Sequence, residues 1–191
     1  MIGWVLRRAA ELLGGLIVWV GLWIVLLRWV PLPPVGYGLD LLSGRAPQWG
    51  WVGDKAALQR FQRFWEAWEE IEAVPAREAV SLGQRAAEAY FYPPTLQNKS
   101  GSHLIGALVT YVWGTERLWV IYLNSLAFSK GVYGVGAAAE RFFEKPLHAL
   151  NSEELSELVV RRRTGYWGSP LPLSLHLAQK RLQRRLAGYD S

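Results

Sequence analysis

The chain has 191 residues, of which 51% are hydrophobic, and a formal net charge of +5. This length suits one domain of ordinary size. The absence of cysteine excludes a disulfide framework and thiolate metal sites. A basic balance is compatible with nucleic acid, anionic lipid or an anionic substrate as the partner. No nucleic-acid-binding motif is present, so no nucleic-acid partner is expected.

The N-terminal part of the chain contains an apolar run, residues 12–27, that has no charged or strongly polar side chain. A membrane-spanning helix needs ~20 apolar residues, and Arg28 can extend its charged end to the interface. Residues 1–30 are therefore predicted to form a cytoplasmic N-terminus and a single transmembrane anchor in the inner (plasma) membrane. Arg7 and Arg8 precede the run, which predicts an extracytoplasmic C-terminal domain. A cleaved signal peptide and a buried soluble helix are the alternatives.

Residues 31–54 are predicted to be a juxtamembrane linker. The first eight, Pro-Leu-Pro-Pro-Val-Gly-Tyr-Gly, are expected to stop any helix, and residues 44–53 are expected to form a loop near the membrane surface. From residue 55 the apolar residues recur every three or four positions, and no strand-like alternation stands out. Residues 55–191 are therefore predicted to form one all-α domain.

Several helices are expected in that domain. The first should expose Glu66, Glu69 and Glu70 on a solvated face. A loop is expected at residues 92–102, and Asn151 is expected to begin a helix with a capping box. The predicted helices span residues 55–74, 76–91, 104–113 with a continuation to 126, 135–143, 151–160 and 175–186.

Residues 117–145 carry the most informative pattern of the chain. Its fixed positions are Tyr122-Leu-Asn124, Phe128, Gly131, Tyr133-Gly-Val135, Ala137 to Ala139, Phe143 and Lys145. This pattern resembles a signature of the peptidoglycan glycosyltransferases, and the chain is most similar to their monofunctional branch, the biosynthetic peptidoglycan transglycosylases of glycosyltransferase family 51. The resemblance implies a lysozyme-like fold, no cofactor and no metal. It also implies lipid II or a glycan strand as ligand, at a membrane, with a cell-wall synthase as a possible protein partner.

The family reaction joins a sugar hydroxyl to an anomeric carbon, and it needs a carboxylate that accepts the hydroxyl proton. In the family, this carboxylate comes from a Glu-Asp-x-x-Phe-x-x-His-x-Gly motif. Residues 67–71 resemble the stretch that follows this motif, and counting back from them puts Ala56-Ala57 at Glu-Asp and Arg63 at His. Asp54 lies two residues before Ala56 and is the nearest carboxylate in the sequence.

Two further family motifs are altered. Gln84 matches the Gly-Gly-Ser-Thr-Ile-Thr-Gln-Gln motif, from which the Gly-Gly-Ser-Thr part is missing. Lys99 matches the Arg-Lys-x-x-Glu motif, in which Ser102 replaces the second family carboxylate. The resemblance therefore predicts a family member of peptidoglycan synthesis with impaired or lost catalysis and no identifiable catalytic residue. The alternative is a non-catalytic, membrane-anchored scaffold that binds lipid II, glycan or a partner protein. The expected substrate-binding residues are Lys99, Arg117, Gln84 and Asn124.

The remaining polar clusters are less specific. His103, His148 and His176 lack the spacing of a metal site and are expected at the surface or as capping residues. The basic stretches 161–163 and 180–185 are expected either to contact anionic lipid or to form solvated helix faces. Tyr122, Asn124, Tyr133 and Gly134, although they match the signature, are expected to support the fold.

Overall fold

The computed structural model describes residues 2–29, 31–71, 81–91, 99–129, 131–165 and 170–187. These residues are predominantly helical, which confirms the predicted all-α class in its main feature. The elements in chain order are α1 Ile2–Trp29, α2 Val35–Leu42, β1 Gln48–Trp49, α3 Lys55–Ile71, α4 Leu82–Phe91, α5 Lys99–Ser125, β2 Ala127–Ser129, β3 Val132–Tyr133, α6 Val135–Phe143, a 3-10 turn Leu147–Ala149, α7 Ser152–Thr164 and α8 Leu173–Ala187.

The first helix, α1, contains the apolar run of the predicted anchor. The large apolar side chains that are described between Leu12 and Leu26 are mostly exposed, from 76% at Leu12 to 39% at Leu26. Trp23 differs, because it packs against the core of the domain and stacks on Trp19 with ring centroids 5.5 Å apart. Within the described part of the chain, no helix is both long and apolar enough to cross a membrane. The transmembrane anchor therefore stays a prediction.

The second helix, α2, begins inside the segment that was expected to be non-helical. Pro34 is its N-cap, with φ −66° and ψ 156°. A proline is tolerated there because the first N–H groups of a helix have no intrahelical partner. The expectation that residues 31–38 exclude a helix is wrong after Pro34. The helix buries Asp40, whose carboxylate accepts a hydrogen bond from Tyr133 and pairs with Arg45.

Helix α3 has the predicted amphipathic pattern. Its buried side chains follow one stripe, and Phe61 and Trp65 are almost fully inaccessible. Such a stripe is what a surface helix needs to pack on a core. The predicted end at Pro75 lies outside the described residues. The core contains the side chains Phe61, Trp65, Tyr90, Leu118, Ile121, Leu123, Leu126, Phe128, Leu150, Leu155 and Leu158.

Helices α4 and α5 pack at very short range. A Cβ atom added at Gly83 would lie 1.9 Å from Thr110 Oγ1 and 2.4 Å from the carbonyl oxygen of Gly106. A side chain at position 83 is therefore excluded unless the helices separate, and glycine fits because it has none. The predicted helix 76–91 is described only from Leu82 on.

Helix α5 begins earlier than expected, at Lys99, so the predicted loop 92–102 is wrong in its last residues; residues 92–98 lie outside the description. The helix is interrupted at Gly114, where φ is 70° and ψ is 164°. This left-handed φ is accessible to glycine at little cost. It divides α5 into a first part up to Trp113 and a second part that carries the start of the signature.

A small three-stranded sheet, in the order β1-β3-β2, corrects the expectation of a purely helical domain and of a loop at residues 44–53. β1 pairs in parallel with β3, so that Gln48 lies beside Val132 and Trp49 beside Tyr133. β2 and β3 are antiparallel. The sheet joins the segment before α3 to the signature region.

The C-terminal part follows the sequence prediction closely. α6 occupies residues 135–143 as predicted. Asn151 and Glu154 form the predicted capping box of α7, which continues to Thr164 rather than ending near residue 160. α8 packs against α7 and α3, and buries Leu182.

Candidate functional site

The start of α3 was expected to hold the position of the family base. Asp54 accepts hydrogen bonds at Oδ1 from the backbone N–H groups of Ala56 and Ala57, at 2.9 and 3.3 Å. These bonds cap the helix, because the first N–H groups have no intrahelical partner. Asp54 therefore has a structural role in the N-terminus of α3, and Ala56 offers no proton acceptor.

Next to this helix start lies an exposed ion pair. Lys55 Nζ donates to Glu116 Oε1 at 2.7 Å, and both side chains are 71% exposed. The hydrogen bond and charge of Lys55 hold the pKa of the Glu116 carboxyl below its usual value. The neighbouring Arg117 is half-buried, and its guanidinium lies 5.3 Å from the centre of the Trp51 ring. Arg117 is thus held by an aromatic face near the N-terminus of α3.

Asn124 is fully buried and bonded to the backbone. Its Oδ1 accepts from the N–H of Val52 at 2.7 Å, and its Nδ2 donates to the carbonyls of Val52 and Val120 at 3.2 and 2.9 Å. The Asn124 carbonyl accepts from Trp49 Nε1 at 3.2 Å. Because the side chain is inaccessible, the structure gives Asn124 a role in fixing residues 49–52 and no surface for a substrate.

The other two expected substrate-binding residues lie in α4 and at the start of α5. Gln84 is buried in α4, and its Nε2 donates to Glu88 at 3.1 Å. Lys99 begins α5, and its side chain and that of Ser102 lie outside the description. Lys99 precedes the kink at Gly114 and Arg117 follows it. A common binding site for these residues therefore stays a prediction.

A cluster that was not predicted lies where α3, α4, α5 and α7 meet. Glu69 Oε1 accepts a 3.0 Å hydrogen bond from Trp65 Nε1 and forms an ion pair with Arg85. Arg163 lies 3.9 Å from the same oxygen, and its guanidinium is 5.4 Å from the centre of the Trp65 ring. The side chain of Glu69 is only 22% exposed. The expectation of a solvated Glu69 is therefore wrong, since neighbouring helices cover it.

The other two glutamates of α3 are exposed as expected. Glu66 accepts from Gln62, and Glu70 pairs with Arg185 at 3.0 Å. Glu69 differs because it lies four residues after Trp65 and next to Trp68, at the border of the apolar stripe. This position was the signal in the sequence that could have identified Glu69.

Arg162, which lies next to Arg163 on α7, also belongs to this cluster. Loss of water around it lowers the pKa of its guanidinium from the usual value. Among the described residues, no carboxylate pairs with Arg162. The charges of Arg162 and Arg85 act on Tyr122, and they oppose the increase in its phenol pKa that burial causes. The stretch 161–163 is therefore not a solvated helix face, and Arg161 itself is buried and paired with Glu157 at 2.6 Å.

The guanidinium groups of Arg85 and Arg163 thus lie at the carboxylate of Glu69, and the charges of Arg85, Arg162 and Arg163 all act on the buried Tyr122. Guanidinium groups in a partly desolvated place bind phosphate and carboxylate oxygens well. Within the described ranges, no group of three or more histidines or acidic residues could hold a metal ion. His103 and His148 are exposed, and His176 is half-buried.

Arg63, which falls at the family histidine by counting, is exposed on α3. It lines a separate groove of about 350 Å³ together with Arg60 and Gln183. Arg60 donates there to the carbonyl of Leu150 at 2.8 Å. This groove is formed by α3, α7 and α8, and it does not include the carboxylate of Glu69.

The helical domain and the signature that extends from α5 to α6 are what the resemblance to the transglycosylases predicted. The family model described as transglycosylase matches residues 71–184, more than half of the chain, and the chain belongs to this family. No solved structure matches the chain, so the lysozyme-like fold stays a prediction.

The relatives found by sequence comparison are named biosynthetic peptidoglycan transglycosylase. The protein of Shewanella denitrificans is 31% identical over 106 residues, which cover 54% of this chain and 46% of the relative. That of Vibrio parahaemolyticus is 29% identical over 108 residues, covering 56% and 48%. That of Salmonella agona is 45% identical over 49 residues, covering 26% and 20%. The chain thus spans about half, or less, of the length of these relatives.

Proposed function

We propose that the protein acts in peptidoglycan synthesis by binding lipid II, or the glycan strand made from it, and that its own polymerisation activity is impaired or lost. The observation that carries the proposal is the cationic cluster, in which Arg85 and Arg163 lie at Glu69 and the desolvated Arg162 lies next to Arg163 on α7. The names of the relatives support the process.

The ligand chemistry follows from the charges of the cluster. Lipid II carries a pyrophosphate, and the described residues of the cluster include the guanidinium groups of Arg85, Arg162 and Arg163. Arg162 is desolvated before any ligand binds, so an anion beside it would restore favourable interactions that water no longer supplies. A charged hydrogen bond is worth ~1.5–3 kcal/mol, which is enough for each arginine to change affinity about tenfold.

The argument for impaired catalysis rests on the carboxylates. The reaction needs a carboxylate that is able to accept a proton. Asp54 caps α3, Ala56 has no acidic group, and Glu69 Oε1 is already engaged by Trp65 and Arg85. The second oxygen of Glu69, Oε2, makes none of the hydrogen bonds or ion pairs among the described residues. We therefore assign to Glu69 any turnover that remains.

The first test is a lipid II polymerisation assay on the full chain in detergent, with wild type, Glu69→Gln and Asp54→Asn. We expect little or no glycan product from wild type, and none from Glu69→Gln. Rapid polymerisation by wild type would overturn the proposal of impaired catalysis. Slow polymerisation that persists in Glu69→Gln but stops in Asp54→Asn would remove the assignment to Glu69.

The second test measures binding of a short-chain lipid II analogue. Arg162→Met and Arg163→Met should each weaken binding about tenfold, and Arg181→Met, which changes an exposed arginine on α8, is the matched control. Lys99→Ala and Arg117→Ala test the residues carried over from the family. Equal affinity of all variants, or no binding by wild type, would favour the alternative of a scaffold that binds a cell-wall synthase or another partner protein.

We also propose that α1 holds the protein at the plasma membrane, with the N-terminus in the cytoplasm and the remaining domain outside. In support, the apolar side chains of residues 12–26 are largely exposed, which is unusual for a protein surrounded by water. Arg7 and Arg8 precede them. Added protease should digest the domain in spheroplasts. Protection in spheroplasts, with digestion only after lysis, would contradict this orientation.

A further inference from the structure

An open groove of about 510 Å³ lies between β1 and the exposed face of α6. It does not share a lining residue with the cationic cluster around Glu69. One wall of the groove is β1. Its parallel pairing with β3 places β1 beside the start of α6. The lining residues are Tyr37, Pro47, Gln48, Trp49, Ala137, Glu140, Arg141 and Glu144.

Three half-buried aromatic rings form a row that starts in this groove. The centroids of Tyr37 and Trp49 are 6.3 Å apart, and those of Trp49 and Trp51 are also 6.3 Å apart. Trp49 and Trp51 are two residues apart in extended chain, a spacing that puts side chains on the same side. The row ends at Arg117, whose guanidinium lies over Trp51. It therefore connects the groove to the N-terminus of α3.

The residues at the rim of the groove have polar side chains that are available for hydrogen bonds to a ligand. Gln48, Glu140, Arg141 and Glu144 are exposed, and their side chains make none of the hydrogen bonds or ion pairs among the described residues. They offer carboxylate acceptors, guanidinium donors and an amide that can do both. The charges nearly cancel, so the groove is unsuited to a strongly charged ligand.

We propose that this groove is a binding site for an uncharged oligosaccharide. A sugar ring presents C–H groups on its faces, which pack on amphipathic aromatic rings, and hydroxyl groups at its edge, which exchange hydrogen bonds with carboxylate, amide and guanidinium groups. The volume lies in the range of ligand sites. Two of the rings, Tyr37 and Trp49, line the groove and offer contacts to the faces of sugar rings. Its identity as N-acetylated hexosamines, as in a glycan strand, rests on the proposed function.

The test uses the full chain in detergent and N-acetylated chitotetraose as the probe, with binding measured by calorimetry and by saturation-transfer NMR. Two variants remove the chemistry with little disturbance of the fold. Glu140→Ala/Glu144→Gly removes both carboxylates, and Glu144 has φ 55°, a conformation that glycine adopts more readily. Tyr37→Leu removes a ring but keeps an apolar side chain. Glu66→Ala, which removes an exposed helical carboxylate elsewhere, is the control.

We expect wild type and Glu66→Ala to bind alike, and the two groove variants to bind about fivefold or more weakly, as expected from the loss of charged hydrogen bonds or ring contact. No binding by wild type, or equal binding by all four proteins with unchanged thermal midpoints, would overturn the proposal. Loss of lipid II analogue binding in Arg162→Met, with chitotetraose binding retained, separates this groove from the cationic cluster. If one of the two sites does not bind its probe, the proposal for the other site is unaffected.

Discussion

The hydroxyl of Tyr133 donates a 2.8 Å hydrogen bond to the carboxylate of Asp40, which lies 93 positions earlier in the chain. Arg45 pairs with the same carboxylate. Burial, and then the bond to Asp40, raise the pKa of the Tyr133 phenol, so it stays a proton donor throughout the neutral range. This hydrogen bond connects α2 to the central strand β3.

Tyr133→Phe should therefore destabilise the domain. The change removes the donor, so the buried Asp40 carboxylate loses one hydrogen bond, and a hydrogen bond to a charged group is worth about 1.5–3 kcal/mol. Thermal unfolding of the full chain in detergent, followed by circular dichroism, measures the loss. Tyr37→Phe is the control, since the hydroxyl of Tyr37 makes none of the hydrogen bonds among the described residues. A loss of equal size in both variants would contradict the assignment.

The contact between α4 and α5 predicts opposite effects at two helical glycines. Gly83→Ala should destabilise by about 2 kcal/mol or more, because a Cβ would meet Thr110 Oγ1 at 1.9 Å. Gly38→Ala in α2, where no atom lies within 4 Å of the added Cβ, should stabilise by about 0.5–1 kcal/mol. Denaturant midpoints test both. A neutral Gly83→Ala would show that the two helices are further apart than described.

Arg162 is expected to strengthen ligand binding without stabilising the fold. It is desolvated, so Arg162→Met should leave stability unchanged or raise it by on the order of 1 kcal/mol. The same change should weaken binding of the lipid II analogue. A variant that loses both stability and binding would instead point to a structural role for Arg162, and this outcome would count against the anion site.

The capping box of α7 predicts a pH effect. Glu154 accepts from Lys145 at 2.5 Å and from the N–H of Asn151 at 2.9 Å, and both bonds lower the pKa of its carboxyl from 4.5. Because the pKa of Glu154 is lower in the folded than in the unfolded state, its ionised carboxylate stabilises the fold. This stabilisation is present above about pH 4.5 and disappears as the pH falls through the folded pKa. Glu154→Gln should destabilise more at about pH 7 than at about pH 3. Glu66→Gln, at an exposed site, should show no such difference.

The sequence predicted those elements whose pattern is local. The apolar stripe of α3, the span of α6 and the capping box at Asn151 follow from residues within one or two helical turns, and the structure confirms them. The signature at 117–145 predicted the family, which the family comparison confirms. Local spacing was sufficient in each case.

The sequence could not predict the contacts between distant segments. β1 is two residues long, and it is a strand only because β3 lies beside it. The position of Glu69 at the border of the apolar stripe is visible in the sequence, but its partners Arg85 and Arg163 come from two other helices and are not. Counting along the motif therefore placed the family base at Ala56. The cationic cluster around Glu69 forms only when the helices pack together.

Asn124 also has a consequence for the order of assembly. The backbone segment that it fixes, Trp49 to Val52, is made 72 to 75 residues before Asn124 itself. During synthesis this aromatic-rich segment must remain without its partner until α5 has left the ribosome, since pairing of distant segments comes late. A nascent chain stopped before residue 124 should therefore stay protease-sensitive at residues 48–52, and protection should arise together with the folding of the signature region.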